Sequence, residues 1–201
     1  MRTRGWGGAT PASDEEAKGR ILSAAKTAID IRGADIGIAE IARAVGVTRQ
    51  TVYRYFPSTE DLLFAAAMDS ASGFLDRLAK HLLGIGDPAD AVVEAMATTL
   101  EWLPEDRYVR LLLTADRTGS FTASVTSDKS IALAHSMMNR FDVDWEQHGF
   151  SQNDLDELGE HMLRILQSFV VDPGRPPRKG KKLRGYLRRQ VGAAVEHRGC
   201  R

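Results

Sequence analysis

The sequence TRQTVYRY contains three side chains with paired hydrogen-bond donors or acceptors, Arg49, Gln50 and Arg54. Arginine binds the edge of guanine, and glutamine the edge of adenine, through two hydrogen bonds each. At helical spacing Gln50 and Arg54 lie opposite Val52 and Phe56, the apolar residues of this stretch, and Arg49 falls in the first turn. The stretch therefore predicts a helix that buries one side and presents base-recognising groups on the other.

Two short helices and a tight turn would position these side chains. In IAEIARAVGVTRQTVYRYF, Ile38, Ile41 and Val45 repeat at helical spacing and predict a helix before the polar one. Gly46 follows where that helix would end, because glycine adopts the left-handed conformation of a helix C-cap at little cost. Thr48 then offers its hydroxyl to the free N–H groups of the next helix. A helix–turn–helix with a polar second helix indicates DNA binding, since the major groove of DNA admits one helix.

Each of these side chains also has a simpler interpretation. Arg49, Gln50 and Arg54 can form a solvated helix face without binding anything. Tyr53 and Tyr55 can pack their rings against the protein with only the hydroxyl exposed, or their hydroxyls can contact DNA phosphates. The spacing is compatible with both interpretations.

A first helix is predicted ahead of this pair. Ser13 to Glu16 form a capping box, with acidic residues where the helix dipole favours them. The helix should continue to about Arg32, because Gly33 follows as a C-cap.

The first twelve residues, MRTRGWGGATPA, are polar and rich in glycine, and we expect them to be mobile. Two functions are open for Arg2 and Arg4. They belong to a disordered terminus, or they act as an arm that reaches DNA phosphates or the minor groove.

The chain after Pro57 predicts six further helices, each an apolar periodicity bounded by Gly, Pro or a capping residue. They cover, approximately, residues 58–83, 88–103, 108–119, 127–148, 152–171 and 177–197. No strand-like alternation with turn residues appears. The sequence therefore predicts an all-α fold of about nine helices, with an N-terminal arm and three-helix domain at 1–57 and a larger helical domain at 58–201.

The formal net charge of zero conceals a strong asymmetry along the chain. Residues 1–60 carry nine Lys/Arg against seven Asp/Glu, and residues 61–171 carry eight against eighteen. Residues 172–201 carry ten against two. DNA should approach the N-terminal part and be repelled by the acidic middle. The basic C-terminal segment has three interpretations: a solvated helix face, pairing with the acidic region, or DNA contact.

Catalytic and metal-binding classes find little support. Glu157, Glu160 and His161 share one helix, but Ile165 stands where a second zinc-binding histidine would be needed. The other histidines have no metal-ligand spacing, so we expect no metal, no cofactor and no enzyme activity. Cys200 is the single cysteine, which fits a reducing cytoplasm. No run of about 18 apolar residues exists, so no membrane span is expected.

These features together resemble the tetracycline-repressor (TetR) family of bacterial transcription regulators. The resemblance is sharpest over residues 15–63, in the run G-V-T-x-x-T-V-Y-x-Y-F-x-x-x-E-x-L that begins at Gly46. Beyond that region the chain matches in the number, length and order of its helices. The family implies a homodimer built by the last two helices, about 152–171 and 177–197. It also implies a palindromic double-stranded operator and an inducer pocket among the middle helices.

The resemblance assigns roles residue by residue. The positions that usually contact phosphates are Thr48, Thr51, Tyr53 and Tyr55. The positions that usually face base edges are Arg49, Gln50 and Arg54. Two departures reduce the predicted phosphate contacts: Thr59 stands where a lysine is common, and Gly37 stands where the second helix often begins with a polar residue. Each lost contact should flatten the salt dependence of binding by about one unit of slope.

A hydrophobic inducer is predicted from large apolar and methionine side chains in the middle helices, although core packing is the alternative for each of them. The predicted lining is Phe74, Met96, Trp102, Tyr108, Phe121, Met137, Met138 and Phe141. The polar groups best placed to orient such a ligand are Arg110, His135 and Asn139. We therefore predict a cytoplasmic, ligand-responsive transcriptional repressor. A ligand-binding helical protein that does not bind DNA and an all-α enzyme are the alternatives.

Overall fold

The computed structural model describes residues 5–33, 35–113 and 127–198, and this part of the chain contains helices and no strand. The helices are α1 (Asp14–Arg32), α2 (Ile38–Val45), α3 (Arg49–Tyr55), α4 (Thr59–His81), α5 (Pro88–Trp102), α6 (Arg107–Leu113), α7 (Asp128–Met138), α8 (Gln152–Val171), α9 (Gly180–Leu187) and α10 (Ala193–Arg198). A π-helical turn, Arg188–Gly192, joins α9 to α10 without a break. The predicted all-α class is confirmed, and the described residues form nine helices if α9 and α10 count as one.

The N-terminal unit extends through Ser70 and has its own small apolar core. Each helix contributes apolar residues at helical spacing, because only one face of it is turned inward. The residues of this core that are at most 1% exposed include Ile21, Ile29, Ile41, Val52, Leu62 and Leu63.

The predicted helix ends in this unit are confirmed by their caps. The Ser13 and Thr48 hydroxyls accept the N–H groups of Glu16 and Thr51, both at 3.1 Å. Gly46 adopts the left-handed conformation with φ 74° and ψ 35°. These bonds satisfy backbone groups that a helix end leaves without an intrahelical partner.

The segment before α1 differs from its prediction. We expected residues 1–12 to be mobile, but residues 5–9, which we call the strap, lie against the turn between α2 and α3. A short 3₁₀ turn, Trp6–Gly8, forms its centre. The Trp6 N–H donates to the carbonyl of Gly46 at 2.9 Å. Arg2 and Arg4 lie outside the described residues.

The C-terminal unit begins at Ala71 and is organised around α5. Ten residues of α5 are buried, so this helix has almost no solvated side. Helices α8, α9 and α10 pack against it. The division between the two units falls inside α4, between Ser70 and Ala71. The domain boundary at 57/58 stays a prediction.

Across the described part of the chain, no helix has both the length and the hydrophobicity that a membrane span requires.

Helix α7 is shorter than predicted. We expected it to continue to His148, but it ends at Met138, and residues 139–150 form turns. The indole N–H of Trp145 donates to the carbonyl of Met138 at 3.0 Å, and the same carbonyl accepts the N–H of Phe141. A side chain thus adds to the hydrogen bonding at the helix end. The turns also bring the Trp145 ring against Phe141 and Phe150 in the core. The last helix is also shorter than predicted, because it begins at Gly180 and not at residue 177.

Arg184 fastens α9 to α5 through two carboxylates. Its guanidinium donates to both oxygens of Glu94, at 2.6 and 2.8 Å, and to Glu101 at 3.0 Å. The side chains of Arg184 and Glu94 are 30% and 21% exposed, so the pair is partly removed from water. Hydrogen bonding from Arg184 lowers the pKa of Glu94 to about 2. Arg188 likewise pairs with Asp90 at 2.5 Å. Part of the basic C-terminal segment therefore neutralises the acidic region, as one of the three interpretations predicted.

We predict that Glu94→Gln lowers the free energy of unfolding at neutral pH by ~2 kcal/mol, between the ~0–1 kcal/mol of an exposed ion pair and the ~3–5 kcal/mol lost when a buried one is broken. The folded-state pKa of Glu94 lies below its ordinary value of 4.5. Its contribution is therefore complete above pH 4.5 and is lost as the pH falls towards 2. Urea unfolding of the wild type and of Glu94→Gln measures both free energies of unfolding across this pH range. The difference between them should shrink as the pH falls.

The matched control is Glu160→Gln, which breaks an exposed ion pair with Arg164 within α8. It should change the free energy of unfolding by less than ~0.5 kcal/mol. A wild-type minus Glu94→Gln difference that stays constant as the pH falls would show that Glu94 does not act through its charge.

Candidate DNA-binding site

Helix α3 is held as the second helix of a helix–turn–helix. The Thr48 cap begins it, and the hydroxyls of Thr48 and Thr51 lie 2.9 Å apart. On its inner side Val52 is fully buried and Phe56 is 7% exposed. The predicted division of this helix into an apolar and a polar side is therefore observed.

The outer side of α3 carries the predicted DNA-binding residues. Five of the seven are exposed, namely Thr48, Arg49, Gln50, Tyr53 and Arg54. Thr51 and Tyr55 are half-buried. The Tyr53 ring is 48% exposed and is one of the large hydrophobic side chains that the N-terminal unit leaves in solvent. An exposed amphipathic ring beside exposed guanidinium and amide groups is suited to contact with a DNA duplex.

Arg54 and Tyr55 have partners within the protein. The Tyr55 hydroxyl donates to Asp14 Oδ1 at 2.8 Å, and Arg54 donates to the same hydroxyl. The Arg54 guanidinium also lies 3.5 Å from the Asp14 carboxylate and 4.6 Å from the centre of the Tyr55 ring. The Arg54 and Asp14 side chains are 67% and 74% exposed, so exchanging their ion pair for a contact with DNA costs little. A phosphate contact by Tyr55 would require that exchange.

Comparison with known proteins agrees with this geometry. The family model described as "Bacterial regulatory proteins, tetR family" matches residues 21–66, which include α2 and α3. An uncharacterized HTH-type transcriptional regulator of Mycobacterium tuberculosis is 29% identical over 164 residues, covering 80% of this chain and 78% of that protein. The N-terminal unit therefore carries a DNA-binding domain of the TetR type. The chain is thus a DNA-binding transcriptional regulator, and the relatives it matches are regulators and not enzymes.

Solved structures show the same fold. The TetR-family repressor AlkX from Dietzia sp., implicated in the biodegradation of n-alkanes, superposes with a TM-score of 0.54 at 16% identity. That match covers 90% of this chain and 96% of AlkX. RolR in complex with resorcinol gives a TM-score of 0.51 at 20% identity, with 93% and 94% of the two chains covered. A TetR-type arrangement of helices therefore extends through most of the chain.

The predicted ligand-lining residues fall into three groups. Five are buried in the core of the C-terminal unit: Phe74, Met96, Met137, Met138 and Phe141. Trp102 and Tyr108 are half-buried, and the Trp102 ring meets Phe74 edge to face at 6.0 Å. Phe121 lies outside the described residues. Core packing, the alternative for each residue, accounts for the contacts of the buried five.

The predicted polar orienting groups lie in two separate surface clefts. His135 and Asn139 line one of them, where the two ring nitrogens of His135 contact Asp156 at 2.5 Å and Gln152 at 2.7 Å. Arg110 lines another, with Phe169 and Arg178. The sequence prediction had grouped these residues around one ligand.

We predict that Arg54→Ala weakens operator binding mainly through one base pair of each half-site, with ~1–3 kcal/mol of discrimination lost there. Competition between duplexes carrying single base-pair changes measures this loss. The control is Asp14→Asn, which removes the negative charge beside Arg54 but keeps an oxygen that accepts the Tyr55 hydroxyl, so the base preference should stay intact. Equal loss on operator and random duplexes for Arg54→Ala would instead make Arg54 a phosphate contact.

Proposed function

We propose that this TetR-family regulator is a repressor that binds a palindromic operator as a homodimer and is released by a hydrophobic small molecule. The observation that carries the proposal is the exposed polar side of α3, where guanidinium and amide groups stand opposite a buried apolar side. Arg49, Gln50 and Arg54 are assigned to base edges. Thr48, Thr51, Tyr53 and Tyr55 are assigned to phosphates.

A single α3 spans too few base pairs to select one site in a genome. Two copies related by two-fold symmetry recognise two half-sites, and their centres must lie about one helical turn (~34–36 Å) apart to enter successive major grooves. A ligand that favours a different separation of the two α3 helices abolishes simultaneous docking. It must therefore bind the separated state more tightly than the DNA-competent one.

The C-terminal helices offer a surface for the second copy. On α8, Ile165, Phe169 and Val170 are only partly buried, and Val171 is 65% exposed. Tyr186, on α9, stacks edge to face on Phe169 at 5.8 Å and is also partly buried. Apolar side chains of this size left in water on neighbouring helices are typical of a protein–protein interface. They support our assignment of the dimer to the last two helices.

We predict that Val171→Asp raises the dimer dissociation constant at least about tenfold, because it places a charge without a partner in an apolar interface. Sedimentation velocity over a concentration series measures the change. Leu83→Asp is the matched control, since Leu83 is 66% exposed but lies in the turn after α4, outside the proposed interface. Equal effects of the two substitutions would show that Val171 is not at the interface.

The ligand is proposed to be a small, mainly apolar molecule. The C-terminal unit is rich in aromatic and methionine side chains, which adapt to varied apolar shapes. RolR, a relative in fold, binds resorcinol, and AlkX is implicated in n-alkane degradation. We therefore propose an apolar or aromatic molecule that enters between the helices of this unit, in line with both RolR and AlkX.

Footprinting on the DNA upstream of the protein's own gene tests the proposal. We expect protection of an inverted repeat whose half-site centres lie about one turn apart. Addition of a lipid extract from the source cells should remove the protection. Absence of any protected repeat would refute operator binding. Protection that persists with the extract would refute release by its components while leaving DNA binding intact.

A further inference from the structure

Trp6 contacts the turn before α3 and the last residue of α3. Its backbone N–H donates to the carbonyl of Gly46 at 2.9 Å, in the turn just before the Thr48 cap. Its indole ring meets the ring of Tyr55, the last residue of α3, edge to face with centroids 6.5 Å apart. One residue of the strap therefore connects the turn of the helix–turn–helix with the end of α3.

The backbone at Trp6 adopts a conformation that is uncommon for a residue with a side chain. Trp6 has φ 68°, and the two glycines that follow have φ 60° and 97°. A bulky residue occurs at positive φ where surrounding contacts hold it there, and such residues concentrate at functional sites. The contacts with Gly46 and Tyr55 are those that hold Trp6.

The turn of the helix–turn–helix is shaped to receive the strap. A Cβ atom on Gly46 would lie 2.8 Å from the backbone nitrogen of Gly7, closer than such atoms approach in proteins. The far end of the strap is also held, because Arg20 on α1 donates to the carbonyl of Ala9 at 2.5 Å. Gly46 thus serves both the left-handed cap of α2 and the close approach of the strap.

The strap borders the residues proposed to bind DNA. Together with the turn it lines a cleft of about 790 Å³, and Arg43 and the hydroxyl-bearing residues Thr48 and Thr51 line the same cleft. The hydroxyl of Tyr55 also donates to the Asp14 carboxylate. Tyr55 is therefore tied to both the strap and α1, so the position of the end of α3 depends on both contacts.

We propose that Trp6 is a positioning residue for DNA recognition. It fixes the orientation of α3 through Gly46 and Tyr55, so that Arg49 and Gln50 reach base edges, and it makes no contact with DNA itself. The inference rests on the proposed function in one respect, that α3 is the element that recognises the operator. Misplacement by about 1 Å is enough to weaken directional contacts of this kind.

Two substitutions of Trp6 separate its ring from its backbone. Trp6→Gly removes the ring and also relieves the positive φ, so the protein should remain folded. Trp6→Phe keeps an aromatic edge towards Tyr55. Fluorescence anisotropy measures the dissociation constants of both variants for the operator and for a random duplex over a range of salt concentrations.

Trp6→Gly should weaken operator binding about tenfold, the range that an aromatic pair can contribute, with an unchanged salt slope and less than about a twofold change on the random duplex. Trp6→Phe should stay within about twofold of the wild type on both. Equal loss on both duplexes, with the slope reduced by about one, would make Trp6 a phosphate contact and overturn the proposal. Unchanged operator binding by Trp6→Gly would overturn it as well.

A second measurement needs no DNA. Hydrogen exchange of the free protein should show faster exchange across residues 48–56 in Trp6→Gly, while the amides of α1 keep their protection. Unchanged exchange in α3 would overturn the positioning role. If the wild-type protein binds no operator, the proposed function fails, and the exchange experiment still decides the role of Trp6.

Discussion

The DNA-binding surface depends on the burial of Val52 and Phe56 beneath α3. A helix of seven residues is not stable by itself in water, because the cost of starting a helix exceeds what so few backbone hydrogen bonds return. The inner side of α3 must therefore be held by the core of the N-terminal unit. That core is small, so the contacts around it that tie α3 to its neighbours matter more than they would in a larger domain.

Those contacts come from three separate parts of the sequence. The Thr48 hydroxyl caps the helix from within the motif. Asp14 reaches Tyr55 from the first turn of α1, 41 residues earlier. The strap supplies Trp6, which contacts the turn and the aromatic ring at the other end of α3. The position of the polar side of α3 therefore depends on Asp14 and Trp6 as well as on the Thr48 cap.

The C-terminal unit distributes its charges differently. The acidic side chains of α5 that the sequence shows as a block of negative charge are partly neutralised by Arg184 and Arg188 from the last helix. Since α5 is otherwise almost wholly buried, these ion pairs lie along its single accessible edge. The apolar side chains that the unit leaves in water lie instead on α8 and α9, where we place the second copy of the chain.

The sequence determined the features that depend on neighbours three or four positions apart. The caps at Ser13 and Thr48, the glycine at 46, the two sides of α3 and the all-α class all follow from local periodicity and backbone preference, and the structure agrees with them. Tertiary structure decided what depends on distant residues. The indole of Trp145 bonds to the carbonyl of Met138 at the end of α7, and Arg184 meets Glu94 across 90 residues. The contacts of Trp6 with Gly46 and Tyr55 likewise join residues that are far apart in the sequence. Local spacing carries no information about such pairs, because the folded core brings them together.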